Sequence, residues 1–171
     1  MSNASVYQEG FTWATQLLEM VMADITPEQL AWLPPGSANP AGATYAHAVC
    51  GIDAIVNGML RGGAPLFAAA WAGKSGVSDP QLQSTSEWAR TVLVDLTAAR
   101  AYAQAVYADA GGYMASLTDQ DLQREVDLSM VGLGTRTVGW ILNALIIGHI
   151  NNMAGELSVL KGLQGGKGYP F

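Results

Sequence analysis

The sequence predicts an all-α fold in one domain, residues 1–171, on two observations. Apolar residues recur at spacings of three and four over four long stretches. Helix-start signatures, Thr26-Pro27-Glu28-Gln29 and Ser84-Thr85-Ser86-Glu87, open helical segments between them. No stretch is read as a strand. A chain of 171 residues can bury a core without disulfides or metal.

Residues 5–25 form the first predicted helix, with Tyr7, Phe11, Ala14, Leu18, Val21, Met22 and Ile25 on one face. Thr26 then serves as N-cap, with Pro27 at N1 and Gln29 at N3, for a short turn stopped by Pro34-Pro35-Gly36. Pro40 to Leu60 is the second long helix. One face carries Tyr45, Val49, Ile52, Val56 and Met59, while the opposite face has only small residues around one imidazole: Ala43, His47, Gly51, Ala54 and Gly58. Glycine inside a helix costs about 1 kcal/mol relative to alanine. Gly51 and Gly58 therefore need a reason, either close helix approach or space for a ligand beside His47.

Residues 61–83 lack sustained periodicity, and loops this long usually carry function or bridge distant ends. Within them, Pro65 to Trp71 reads as one or two helical turns. The capping box at Ser84–Glu87 opens the third helix, whose buried face runs from Trp88 and Val92 through Ala99, Ala103, Val106 and Ala110 to Leu117. Tyr102 and Tyr113 fall at its edge, and Gly111-Gly112 should weaken its last turns. A second capped turn, Thr118-Asp119-Gln120-Asp121, precedes a connection punctuated by Gly132 and Gly134.

The last helix, Thr137 to Gln164, is the stretch around which the rest is organised. At ~100° per residue it aligns Val138, Leu142, Leu145, His149, Met153, Glu156 and Leu160, a core seam with polar groups built into it. The glycine-rich tail ends in Tyr169-Pro170-Phe171, aromatics suited to docking on the helices or on a partner.

Charge and composition narrow the partners. The net charge is −6 and the basic residues are scattered, which argues against nucleic acid as a ligand. The single cysteine, Cys50, excludes an internal disulfide and fits a reducing cytosol. The opening MSNASVYQEG lacks the features of a signal peptide, so a cytoplasmic protein is expected. Thr137 to Gly155 is free of charge at close to the ~20-residue length of a membrane span. Asn143, His149, Asn151 and Asn152 interrupt it, and it is read as a buried core helix with no membrane partner.

His47 and His149 both lie on faces that must point inward. The commoner fate of such a histidine is a buried imidazole satisfied by a carbonyl or water. The sharper reading is a divalent metal between the second and last helices. A hard-metal set would be His47, His149 and Asn152, with Glu156 and water; a soft set, suited to Cu(I), would be His47, His149, Met153 and Cys50. Asp53 lies ~120° round the helix from His47 and is not recruited. Cys50, three residues beyond His47, is either an activated thiolate or an inert buried thiol.

TPEQLAWLPPGSANPAGATYAHAV, followed far downstream by RTVGWILNALIIGHINNMAGELSVLKGLQG, resembles the DinB-like proteins over nearly the whole chain. In that superfamily a Thr-Pro-Glu-Gln-Leu-x-Trp turn precedes a helix with one histidine. The last helix carries His-x-x-x-His-x-Gly-[Glu/Gln]. His47 matches the first histidine and His149 the second, with Gly155-Glu156 at the motif's end; the third ligand position falls on Met153. The resemblance implies a four-helix bundle with a long crossover between helices 2 and 3, and frequent homodimers. It also implies zinc or nickel in many members and transfer of low-molecular-weight thiols in some.

Two functions follow as expectations. The first is a small-molecule enzyme or binding protein, if active a metal-assisted transferase or hydrolase, with a pocket between His47, His149 and Met153 bordered by Cys50 and Gly51. A metal there would lower the pKa of a bound thiol or water. The second is a metal-free binding or dimerisation module without catalytic activity. A homodimer is expected because helix two is apolar opposite His47 and the last helix is apolar nearly all round.

Overall fold

Local signals set the ends of the helices, and apolar faces then bring them together. In the computed structural model, which describes residues 3–171, α1 spans Asn3–Met22. Met1 and Ser2, the start of the stretch read for a signal peptide and of the predicted domain, lie outside the described residues. Two long cations satisfy the last carbonyls of α1: Lys161 Nζ donates to Val21 O at 2.7 Å, and Arg100 donates to Met22 O. Short α2, Pro27–Ala31, has the predicted capping box, with Gln29 N donating to Thr26 Oγ1 and Thr26 N to Gln29 Oε1.

The second long helix is α3, Ala41–Asp53, continuing without a break as a π-helical segment, Ala54–Leu60. The 61–83 stretch contains a 3-10 turn at Leu66–Ala68. Next come α4, Ser86–Thr91, and α5, Leu96–Ser116. α6, Asp119–Leu122, carries its predicted cap, Thr118 with Asp121. The final helical stretch is continuous: α7, Val138–Ile141, a π-helical segment, Leu142–Ile147, and α8, Gly148–Leu163. α1 packs on α8 and α5, and α3 packs on the same two helices from the other side. Leu18, Met22, Tyr45, Ile52, Tyr102, Ile146, Ile150 and Leu157 are among the fully buried side chains where they meet. The fold is mostly helical. No helix among the described residues is long and apolar enough to cross a membrane.

Several expectations need correction. The third helix is broken: residues 92–95 run extended between α4 and α5, and Val94 forms an isolated antiparallel bridge with Val77. Asp95 supplies the new cap, accepting from Thr97 N and Ala98 N, and its own amide donates to Gly76 O at 2.8 Å. Gly76 has φ 72° and sits so close that an added Cβ would lie 2.4 Å from Ala99 N, so this crossing needs glycine. Thr85 rather than Ser84 caps α4, through Trp88 N. Gly111 and Gly112 fall near the end of α5, which runs on to Ser116.

Strands also occur. β1, Glu125–Asp127, pairs antiparallel with β2, Thr135–Thr137, in the register Val126↔Arg136. Val126, Leu128 and Met130 do alternate with polar residues, a signal too short to stand out beside helical periodicity. Tyr102, expected at an edge, is fully buried because its hydroxyl donates to Asp53 Oδ2 at 2.6 Å.

The phase of the last helix shifts as well. Its buried face runs through Leu142, Ile146, Ile150, Ala154, Leu157 and Lys161. The π-helical segment takes up an extra residue, yet of the predicted stripe Val138 before it, Leu142 at its start, and Met153 and Leu160 after it are buried. Glu156, within regular α8, is exposed. Helix two presents no spare apolar face, since Tyr45, Val49, Ile52 and Val56 are all buried within the chain. The expected motive for dimerisation on that helix is therefore removed. The tail returns along α8, with Tyr169 and Phe171 stacked on each other and Phe171 exposed.

Candidate functional site

α3 and α8 hold the two histidines against each other. Their ring centroids are 4.8 Å apart with an interplanar angle of 85°, an edge-to-face contact. His47 Nδ1 and His149 Nε2 are buried and have no hydrogen-bond partner. Burial lowers the pKa of His149 to about 4, with the neighbouring His47 adding to the effect. Burial also lowers that of His47, opposed by the nearby Leu82 carbonyl. Both rings are neutral near pH 7.

A cavity of about 310 Å³ opens at this pair. Gly51, Ile55 and Met59 line it from the second helix, and Ala144, Leu145 and Asn152 from the last. Ile55 and Met59 belong to one π-helical segment and Ala144 and Leu145 to the other, so both irregular segments shape the wall. Leu82 and Gln83 from the crossover and Val131 from the hairpin complete it. Sequence reasoning missed these last three, because nothing local in either segment marks it as a wall. An added Cβ at Gly51 meets nothing within 4 Å. Of the two reasons for glycine in helix two, open space applies at Gly51 rather than close helix approach. A larger groove of about 630 Å³, between α2 and the 92–97 segment, contains neither histidine.

The other predicted site residues are dispersed. Met153 is buried in the core and is not among the cavity-lining residues. Cys50 is fully buried beside Tyr102, Asp53 and the backbone of Gln81, and burial pushes its thiol up to about 12, the state of an inert thiol. Glu156 is exposed, with some desolvation raising its pKa. Asn152 lines the cavity.

This donor set bears on the metal expectation. Two unpartnered imidazole nitrogens are available, with the side-chain amides of Gln83 and Asn152 nearby. Among the described residues no group of three or more His, Cys, Asp and Glu is placed to hold an ion. A divalent charge would enter an apolar cavity with no anionic ligand to offset its desolvation. The residues present do not fit a tightly held divalent metal.

Beyond the cavity, Asp53 is the buried charge that sequence reasoning set aside. It accepts hydrogen bonds from Asn57 Nδ2 at 2.9 Å, Leu66 N at 2.8 Å, Phe67 N at 3.0 Å and Tyr102 Oη. As the only acidic residue between Pro40 and Leu60, it carried a signal: a charge on a helix with no exposed face must be paired.

No curated protein matches the chain. A crystal structure described as that of the conserved protein of locus from Enterococcus faecalis shares the fold, with a TM-score of 0.78 at 18% identity. It covers 94% of this chain and 95% of its own. The family model of the DinB superfamily matches residues 11–153, a span containing both cavity histidines and ending at Met153. The chain belongs to the DinB superfamily.

Proposed function

We propose that this protein is a metal-independent small-molecule binding protein whose ligand occupies the His47/His149 cavity. The observation that carries this reading is the pair of unpartnered ring nitrogens on two histidines that line a largely apolar cavity. Each unpaired buried polar atom costs about 1–3 kcal/mol, and a ligand's polar group would offset that cost. Gly51 supports the same reading, since the helix gives up about 1 kcal/mol of propensity there while leaving open volume. The four long helical stretches are read with it as a four-helix bundle closed by a crossover between helices two and three.

Gly51→Leu tests the assignment. Leucine favours the helix and fills the cavity, so the melting temperature should hold or rise while small-molecule binding disappears. Wild type and variant can be compared against one fragment library by ligand-observed NMR. Equal hit rates would sink the assignment.

The metal-assisted transferase or hydrolase is the second reading, favoured by the 4.8 Å ring separation, which two imidazoles sharing an ion could adopt. Elemental analysis of protein purified without an affinity tag separates the two. One equivalent of zinc or nickel per chain would decide for the metal. We also propose a homodimer formed through α1, where Val6 and Trp13 stand exposed two turns apart on one face. Light scattering at micromolar concentration should report twice the 17.9 kDa chain mass. Trp13→Glu should return the monomer.

A further inference from the structure

Resting on the reading of the cavity as a small-molecule site, we propose that its ligand is an uncharged, mainly aliphatic molecule ending in a hydroxyl. That hydroxyl donates to one of the two imidazoles and accepts from the other. The walls select against charge. Ile55, Met59, Val131 and Leu145 present hydrocarbon, and no Lys, Arg, Asp or Glu is among the lining residues. A carboxylate or an ammonium entering here would lose its hydration with no opposite charge to meet it, a far larger cost than burying a neutral polar group. Burial keeps the two rings themselves uncharged.

The head group follows from the hydrogen-bond inventory. A neutral imidazole has one donor nitrogen and one acceptor nitrogen. His47 leaves Nδ1 bare and His149 leaves Nε2 bare, on rings already in contact. With the rings in complementary tautomers, one bare nitrogen accepts and the other donates. A hydroxyl is the smallest neutral group that answers both. An ether oxygen can only accept, so it would leave one ring nitrogen unpaired. The volume of about 310 Å³ lies at the small end of ligand pockets, which favours a short chain or a single small ring behind the hydroxyl.

The test titrates 1-hexanol, hexanoate, hexylammonium and hexyl methyl ether into the full chain. The Cε1–H NMR signals of the two histidines report on binding, at about pH 7.5, where the acid and the amine are charged. The alcohol should shift both histidine signals and bind at least about tenfold more tightly than the other three compounds. His149→Phe should erase its preference over the ether, and His47→Phe serves the same purpose if that variant does not fold. Hexanoate or hexylammonium binding as tightly as the alcohol would overturn the ligand class and leave the cavity reading standing. An alcohol that moves only one histidine signal would overturn the shared hydroxyl. If none of the four compounds moves either signal, the ligand class falls. The Gly51→Leu fragment comparison then shows separately whether the cavity reading falls with it.

Discussion

Helix α3 carries an imidazole, His47, and a carboxylate, Asp53, and their surroundings treat them in opposite ways. Asp53 is fully enclosed, and donors from α5, from its own helix and from the crossover all converge on it. Two of those donors are the amides of Leu66 and Phe67, so the carboxylate pins the crossover to the helix. Asn57 continues the network to Asp109, which pairs with Arg61 at 2.8 Å. His47 instead has a bare Nδ1, beside another imidazole with a bare Nε2 and an open cavity. The difference separates two uses of buried polarity. A group satisfied on every side holds architecture in place, while one left unsatisfied next to open volume is available for binding.

The largest expected effect breaks the satisfied side. Asp53→Ala strips the partner from four donors at once and should cost ~3–5 kcal/mol in urea denaturation. His47→Phe, which removes a ring whose Nδ1 is bare and whose one polar contact is the Leu82 backbone, should change stability by no more than ~1 kcal/mol in either direction. If the two costs were equal, the contrast would be wrong. A smaller effect sharpens the unsatisfied side. Met153→His adds an imidazole one turn from His149 and should tighten zinc binding at least tenfold over wild type, or about 1.4 kcal/mol, by calorimetry. Equal, negligible affinity in both proteins would mean that position 153 does not share a face with the pair.

The smallest effect is a pH dependence of stability. Burial lowers the imidazole pKa values in the folded chain, so the unfolded chain takes up protons first as pH falls. The contribution is fully present above about pH 6.5, declines as pH drops toward about 4, the pKa of His149, and then levels off. Solvent reaches part of the ring, so the loss should be only on the order of 1 kcal/mol. His149→Phe should flatten that slope, and an unchanged slope would assign it to other groups.

Much of this was legible along the chain. The caps at Thr26 and Thr118 were readable because each is closed within four residues by groups adjacent in sequence. The inward faces of α1 and of the second helix followed from spacing alone. The break at residues 92–95 was not readable, because Val92 and Val94 suit a helix face as well as a strand, and Val94 bridges distant Val77. The π-helical segments escaped for a similar reason: constant-angle projection cannot register an extra residue in a turn.

The candidate site divides along the same line. Sequence by itself determined which helix faces turn inward, that an imidazole lies on each of two of them, and that glycine sits one turn from His47. These are local matters of helical period and residue size. Only the tertiary structure decided that the two rings touch and that Gly51 faces space. It likewise decided that Leu82 and Val131 close the walls, and that Asp53 is satisfied on every side while His47 keeps a bare Nδ1. Those outcomes depend on how segments far apart in the chain stack and cross. A helix pattern fixes a side chain's direction from its own axis, but not which partner stands opposite.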